Sequence, residues 1–280
     1  MRRQAWLTLI LSVLAAAGAH AQTLDRIREG GSFRIGYRED AAPFSYEDTL
    51  GEAVGYSVEL CRTVAANVKE TLGLEQMTVE YVPVTTEDRF QAVQDGRIDL
   101  LCGATTVTLS RRELVDFSLF TFIDGAGVLL RKDGPPDFEG LAGMQVGVRS
   151  ATTTDAALAD ALAQQGLEVE LVPVERHEDG LAKLEAGEIQ AYFADRAILV
   201  WLLLGSGAED LWLSERQFSY EPYALALARG DDEFRLLVDA TLSTLYRSGA
   251  IDRIFAAAFG PDATQSDVLK ALYVINGLPR

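Results

Sequence analysis

Four turns of this 280-residue chain set polar side chains directly after short apolar runs, and their residue types suit the binding of small charged groups. The run from Phe33 to Tyr37 leads into Arg38-Glu39-Asp40-Ala41-Ala42-Pro43-Phe44. The run from Ile98 to Cys102 leads into Gly103-Ala104-Thr105-Thr106, with Arg111 five residues beyond. Gln145 to Val148 leads into Ser150-Ala151-Thr152-Thr153-Thr154, and Ala191 to Ala194 ends in Asp195-Arg196. Ser150 to Thr154 suits a helix N-terminus, because its hydroxyls can cap and the segment after it carries Leu158 and Leu162 at helical spacing. Free N–H groups at such an end can hold an anion, although capping alone also accounts for the composition.

Turns that act together need strands that end together. Phe33 to Tyr37, Val79 to Val84, Ile98 to Cys102, Gln145 to Val148, Val169 to Val174, Ala191 to Ala194 and Tyr223 to Ala228 read as strands buried on both faces. Between them, Val58, Cys61, Val64, Ala65 and Val68 keep helical spacing, as do Phe234, Leu237, Val238, Thr241, Leu242 and Leu245. The alternation predicts an α/β architecture with largely parallel sheets, whose ligands lie outside the carboxyl ends of the strands. A repeat is also visible. Val79-Glu80-Tyr81-Val82-Pro83-Val84 matches Val169-Glu170-Leu171-Val172-Pro173-Val174 at an offset of 90 residues. Each copy is followed by a helical stretch (about Thr86 to Asp95, and Glu178 to Ala186), a glycine stop (Gly96, Gly187) and a short strand. Any strand–helix–strand chain can show such coincidences, so common descent of two lobes stays open.

Composition limits the function classes. With 48% apolar and 24% charged residues the chain is a globular protein, and a formal charge of −17 argues against nucleic-acid binding. Residues 1–21 read as a signal peptide: Arg2 and Arg3, an almost wholly apolar stretch from Ala5 to Ala17, then Ala19-His20-Ala21, with cleavage expected after Ala21. The apolar stretch is short for an uncleaved membrane anchor, and no later run reaches transmembrane length, so export in soluble form is expected. Cleavage leaves a formal charge of −19 and His177 as the only histidine. A zinc site is then not expected, since zinc normally takes four ligands and His177 is distant in sequence from the cysteines. An oxidising compartment favours a disulfide between Cys61 and Cys102, with free buried thiols as the alternative.

Several motifs in register resemble a known family. Ile98-Asp99-Leu100-Leu101-Cys102-Gly103-Ala104-Thr105-Thr106, then Arg111 and Val115-Asp116-Phe117-Ser118, are joined by Gly36, Ala42-Pro43-Phe44, Gly55-Tyr56-Ser57-Val58 and Thr152-Thr153. Together they make the mature chain similar to the periplasmic amino-acid-binding proteins of ABC importers. The resemblance implies a two-lobed type II clamshell with two hinge crossings: lobe one from 22–124 and 220–280, lobe two from 125–219. Gly125, Gly127 and Ser219-Tyr220-Glu221 would form the crossings. It implies a periplasmic monomer that traps one amino acid and hands it to a permease, with no cofactor and no turnover.

The resemblance also implies residue roles. Arg111 would grip the α-carboxylate with a planar pair of donors that lysine lacks, aided by Thr106 and by the helix start at Thr152 and Thr153. Asp195 would receive the α-ammonium, with the Ala104 carbonyl beside it. Arg38, Thr86, Arg89 and His177 sit where glutamate and aspartate binders resembling this chain meet a second carboxylate. Three of them also have a plainer reading: Arg38 paired with Glu39 or Asp40 on the surface, Arg89 with Glu87, and His177 a solvated turn residue. Ala104 departs from the usual serine and Thr86 from a common serine. A neutral polar amino acid such as glutamine, or a dehydratase on the same scaffold using His177 and Asp195 as acid and base, remain the alternatives.

Overall fold

The computed structural model describes residues 23–279, so the expected signal peptide and its cleavage point lie outside the described residues. The chain opens with α1 (Thr23–Gly30), β1 (Ser32–Tyr37), a small three-stranded sheet of β2 (Asp40–Ala41), β3 (Ser45–Glu47) and β4 (Ala53–Val54), and α2 (Tyr56–Thr71). It continues through β5 (Thr78–Pro83), α3 (Arg89–Gln94), β6 (Leu100–Cys102), α4 (Leu109–Arg112) and β7 (Asp116–Asp124). A second unit comprises β8 (Ala126–Arg131), β9 (Gln145–Arg149), α5 (Thr153–Gln165), β10 (Glu170–Val174), α6 (His177–Glu185), β11 (Ala191–Asp195), α7 (Arg196–Ser206) and β12 (Leu211–Leu213). The chain then returns to the first unit as β13 (Glu221–Leu227), α8 (Asp232–Ser248), α9 (Ala250–Phe259) and α10 (Asp267–Asn276).

Each unit is built on a five-stranded sheet, in the orders β5-β1-β6-β13-β7 and β10-β9-β11-β8-β12. Three strands of each are parallel, as the alternating pattern predicts: β1 with β5 and β6, and β9 with β10 and β11. The remainder corrects that expectation, because β13 pairs antiparallel with β6 and β7, and β8 antiparallel with β11 and β12. The physical reason is connectivity: β7 runs straight out of one sheet into β8 of the other, so these strands need no crossover helix. A second correction concerns β5 and β10. They were expected to be buried on both faces, yet as edge strands they expose much of their length.

The sequence repeat occupies matching places, with β5–α3–β6 around β1 and β10–α6–β11 around β9. The match extends to the central strands. A Cβ on Gly36 would lie 2.3 Å from Ile98 Cδ1 and one on Gly147 would lie 2.5 Å from Ile189 Cδ1, so both strands need glycine to sit this close to the isoleucine that opens the next strand segment. The helix limits shift slightly. The turn at Thr85, whose N–H donates to Asp88 Oδ1 at 2.8 Å, delays α3 to Arg89, whereas α6 begins one residue earlier than expected, at His177.

Where the chain changes sheets the two crossing segments touch. Phe218 N–H donates to Ala126 O at 2.9 Å and Ala126 N–H to Ser219 Oγ at 2.9 Å. A Cβ on Gly125 would stand 2.1 Å from Ser219 O, so no larger residue fits without moving the other strand. Beneath this region Phe44, Tyr56, Phe122, Tyr223 and Phe259 pack edge to face or stacked, with Phe44 and Phe122 centroids 4.9 Å apart. Tyr56 and Tyr273 hydroxyls at 2.7 Å tie α10 to the same cluster. A disulfide joins Cys61 of α2 to Cys102 at the end of β6 and fixes that helix beside the turn carrying Ala104 and Thr106. No described helix is long and apolar enough to cross a membrane.

Candidate functional site

The parallel strands of both sheets end facing one another, and a narrow, largely enclosed cavity lies between those ends. All ten residues singled out from the sequence line it: Arg38, Thr86, Arg89, Ala104, Thr106 and Arg111 from the first unit, and Thr152, Thr153, His177 and Asp195 from the second. The structure adds Arg149, Thr154, Phe193 and Ile198 to the second wall.

Local chain chemistry places each group. Arg38 follows β1, and its N–H donates to Ser45 Oγ at 2.8 Å, which turns the chain into the small sheet. Arg89 opens α3 and donates one Nη to the Thr86 carbonyl and the other to Ala151 O at 3.3 Å, across the cavity. Arg111 lies on the short α4 capped by Thr108, and its Nη1 donates to Thr106 O at 2.8 Å. Thr152 caps α5, accepting from Asp155 N–H at 3.1 Å, so the free end of that helix points at the site. Asp195 ends β11 and accepts from Thr154 Oγ1 at 2.5 Å and from the Tyr223 hydroxyl.

Charge distinguishes these groups. Arg38 and Arg89 are buried, and burial first of all lowers them, to about 10 and about 9. Arg89 is lowered further by Arg111 and Arg38, so the arginines repel one another. Arg111 is also lowered, mainly by burial. All remain protonated at neutral pH. Among the described residues neither Arg89 nor Arg111 forms an ion pair; the carbonyls above accept from them, and both guanidinium groups lie over the Phe90 ring. Arg38 does have a carboxylate: its Nη2 donates to Asp40 Oδ1 at 2.6 Å, with both side chains buried. The plainer reading of Arg38 is thus half right, since the pair exists but does not lie on the surface.

His177 departs from the solvated-turn reading and lines the cavity as a neutral group. It is buried, not a solvated turn residue, and burial followed by Arg38, Arg149 and Arg176 pushes its pKa well below 6.5. Its Nδ1 lies 2.7 Å from the Tyr192 hydroxyl, and burial raises that phenol, so the phenol donates and Nδ1 accepts. The ring is therefore neutral, with its hydrogen on Nε2, and offers one donor instead of a charge.

Behind the cavity, three carboxylates meet near the crossings. Glu221 Oε2 accepts from Thr106 Oγ1 at 2.6 Å and Thr153 Oγ1 at 2.5 Å, one from each unit, while Ser219 Oγ donates to Oε1 at 2.8 Å. Asp124 accepts from Ala197 N–H at 3.1 Å and is pushed up to about 8 by burial and then by Asp195. Asp195 is raised to about 6 by burial and then Glu221. Asp195 was read from the sequence and Glu221 only as part of a crossing; Asp124, Tyr223, Arg149 and the part Glu221 plays at the site were missed. Their carboxylates and hydroxyls are too common to stand out singly. Arg149 alone had a legible signal, because it stands two residues after Gly147 as Arg38 stands two after Gly36.

Residues 33–261 match the family model of bacterial extracellular solute-binding proteins, family 3. A glutamate/aspartate import solute-binding protein of Salmonella typhimurium is 31% identical over 257 residues, covering 88% of this chain and 85% of that protein. An L-glutamate/L-aspartate-binding protein of Pseudomonas aeruginosa is 31% identical over 249 residues, covering 88% and 82%. Among solved structures, a mutant of ArgBP from T. maritima aligns with a TM-score of 0.74 and 25% identity, covering 84% of this chain and 98% of that one.

Proposed function

Since this chain belongs to the bacterial extracellular solute-binding proteins of family 3 and has their two-lobed type II fold, we propose that it captures glutamate or aspartate outside the cytoplasmic membrane by lobe closure and delivers it to an ABC permease. The observation that carries this reading is the cavity's unbalanced positive charge: among the described residues buried Arg89 and half-buried Arg111 donate hydrogen bonds only to backbone carbonyls, lie over the Phe90 ring and have no carboxylate partner. An uncompensated buried charge costs about 3 to 5 kcal/mol, so two ligand carboxylates are its natural counter-charges.

In this reading Arg111 forks the α-carboxylate, helped by Thr106, Thr153 and the capped start of α5. Asp195 takes the α-ammonium together with the Ala104 carbonyl. Arg89, Arg38, Thr86 and the neutral His177 donor surround the side-chain carboxylate. The first lobe binds first, and the second closes over the ligand through contacts the open form lacks. Gly125 and residues 219–221 absorb the rotation. The protein acts as a monomer and turns nothing over.

The glutamine reading has one observation behind it, since Asp40 already offsets Arg38. A thermal-shift screen of residues 22–280 against the amino acids tests the choice. At a thousand times the dissociation constant, binding adds about 4.1 kcal/mol, a rise of about 8 to 16 °C for a chain of this size. Glutamate or aspartate should give the largest rise. Glutamine or a basic amino acid in first place would overturn the acidic assignment.

A further inference from the structure

We propose that Arg149 is a specificity-determining residue for the ligand's side-chain carboxylate, with Asp40 setting the strength of its effect. The inference rests on the amino-acid-binding reading above and adds a residue that reading does not use. The two lobes present equivalent arginines. Arg38 stands two residues after Gly36 of β1 and Arg149 two after Gly147 of β9, and both glycines face the isoleucine at the matching place. The two guanidinium groups converge on one carboxylate. Asp40 is 4% exposed, accepts a hydrogen bond from Arg38 on Oδ1, and has its Oδ2 in ion-pair contact with Arg149 Nη1.

The local count of charge decides what this arrangement can do. Arg38 and Asp40 offset each other, which leaves Arg89 as the one surplus cation at their end of the cavity. Arg149 adds a second, making three cations to the one Asp40 carboxylate. It is 8% exposed, lines the cavity beside Arg38 and Arg89, and its Nε and Nη1 are buried with no hydrogen-bond partner. Other groups facing it are Arg176, Glu178, Tyr192 and the neutral His177. Arg176 and Glu178 pair with each other, which leaves the second surplus charge with Arg149. Because Asp40 belongs to lobe one and Arg149 to lobe two, that second charge is delivered only when the lobes close.

The test is calorimetric titration of L-glutamate and L-glutamine into wild type, Arg149→Gln, Arg149→Lys and Asp40→Asn, with melting of each free protein as a folding control. Arg149→Gln should cut the preference for glutamate over glutamine by about tenfold or more while moving the glutamine affinity by less than about threefold. Arg149→Lys should restore most of that preference. Asp40→Asn should raise the preference, because it removes the offsetting charge. Equal weakening of both ligands by Arg149→Gln would make the pair a mere latch and overturn the inference, as would an unchanged ratio. If Asp40→Asn does not fold, the two Arg149 variants decide. A wild type that prefers glutamine would refute the acidic assignment itself, whereas the direction in which the ratio moves in Arg149→Gln still judges Arg149.

Discussion

The two lobes share a strand unit but arm it differently. At the start of the helix after the edge strand, lobe one places Arg89 and lobe two places His177, both buried. The guanidinium keeps its charge when buried because its intrinsic pKa is so high, and Arg89 falls only to about 9. The imidazole cannot: burial first, and then the surrounding arginines, hold it neutral. The same scaffold thus yields a charged wall in lobe one and, with Thr152, Thr153, Thr154 and His177, a wall mainly of neutral donors in lobe two. The contrast teaches that an anion would be attracted by one lobe and enclosed by the other, with Asp195 and Arg149 as the charged exceptions on the closing side.

The largest expected effect comes from the charged wall. Arg111→Ala should weaken glutamate and glutamine alike by about 2 to 5 kcal/mol, read by calorimetry, because it removes the α-carboxylate fork. Loss confined to glutamate would place Arg111 at the side chain instead. Next, Arg89→Gln should cost glutamate about 1.5 to 3 kcal/mol and leave glutamine nearly unchanged. Equal losses for both ligands would erase the distinction between the two ends of the cavity.

The hinge carboxylates give a pH signature that separates the lobes further. Asp124 has a folded pKa raised from 3.8 to about 8 by burial, so between these values the folded chain holds a proton that the unfolded chain has released. Its stabilising contribution is therefore full at low pH and is lost as pH rises through the folded value. In melting scans Asp124→Asn should flatten the pH dependence of the free protein across that window. A slope identical to wild type would mean that Asp124 is already ionised in the folded state. The smallest effect is expected from the closing wall: Thr153→Val removes one donor to Glu221 and should weaken ligand binding by about 0.5 to 1.5 kcal/mol. A loss as large as that of Arg111→Ala would reverse the assignment of the two walls.

Much of this arrangement was legible in the sequence, because local patterns carried it. The apolar runs gave the parallel strands, Gly96 and Gly187 marked the helix stops with φ of +63° and +73°, and the ten residues at the strand ends gather around one cavity. What was not legible depended on long-range pairing. The strand from Asp116 to Asp124 carries apolar and polar residues without a clean period, and it is identified as a crossing only by its antiparallel partner β13. Asp40 looked like one more acidic residue in a turn, and only the approach of lobe two gives it a second arginine. His177 was readable as a site residue but not as a neutral one, since its surroundings come from Arg38, Arg149 and Tyr192, all distant in sequence.

The central claim is that buried positive charge in this cavity selects an amino acid with a second carboxylate. Paired calorimetric titrations of L-glutamate and L-glutamine at neutral pH test it most directly, because the two ligands have nearly the same shape and differ by one charge. Tighter binding of glutamate, by about tenfold or more, is the predicted result. Equal affinities, or a preference for glutamine, would contradict the account.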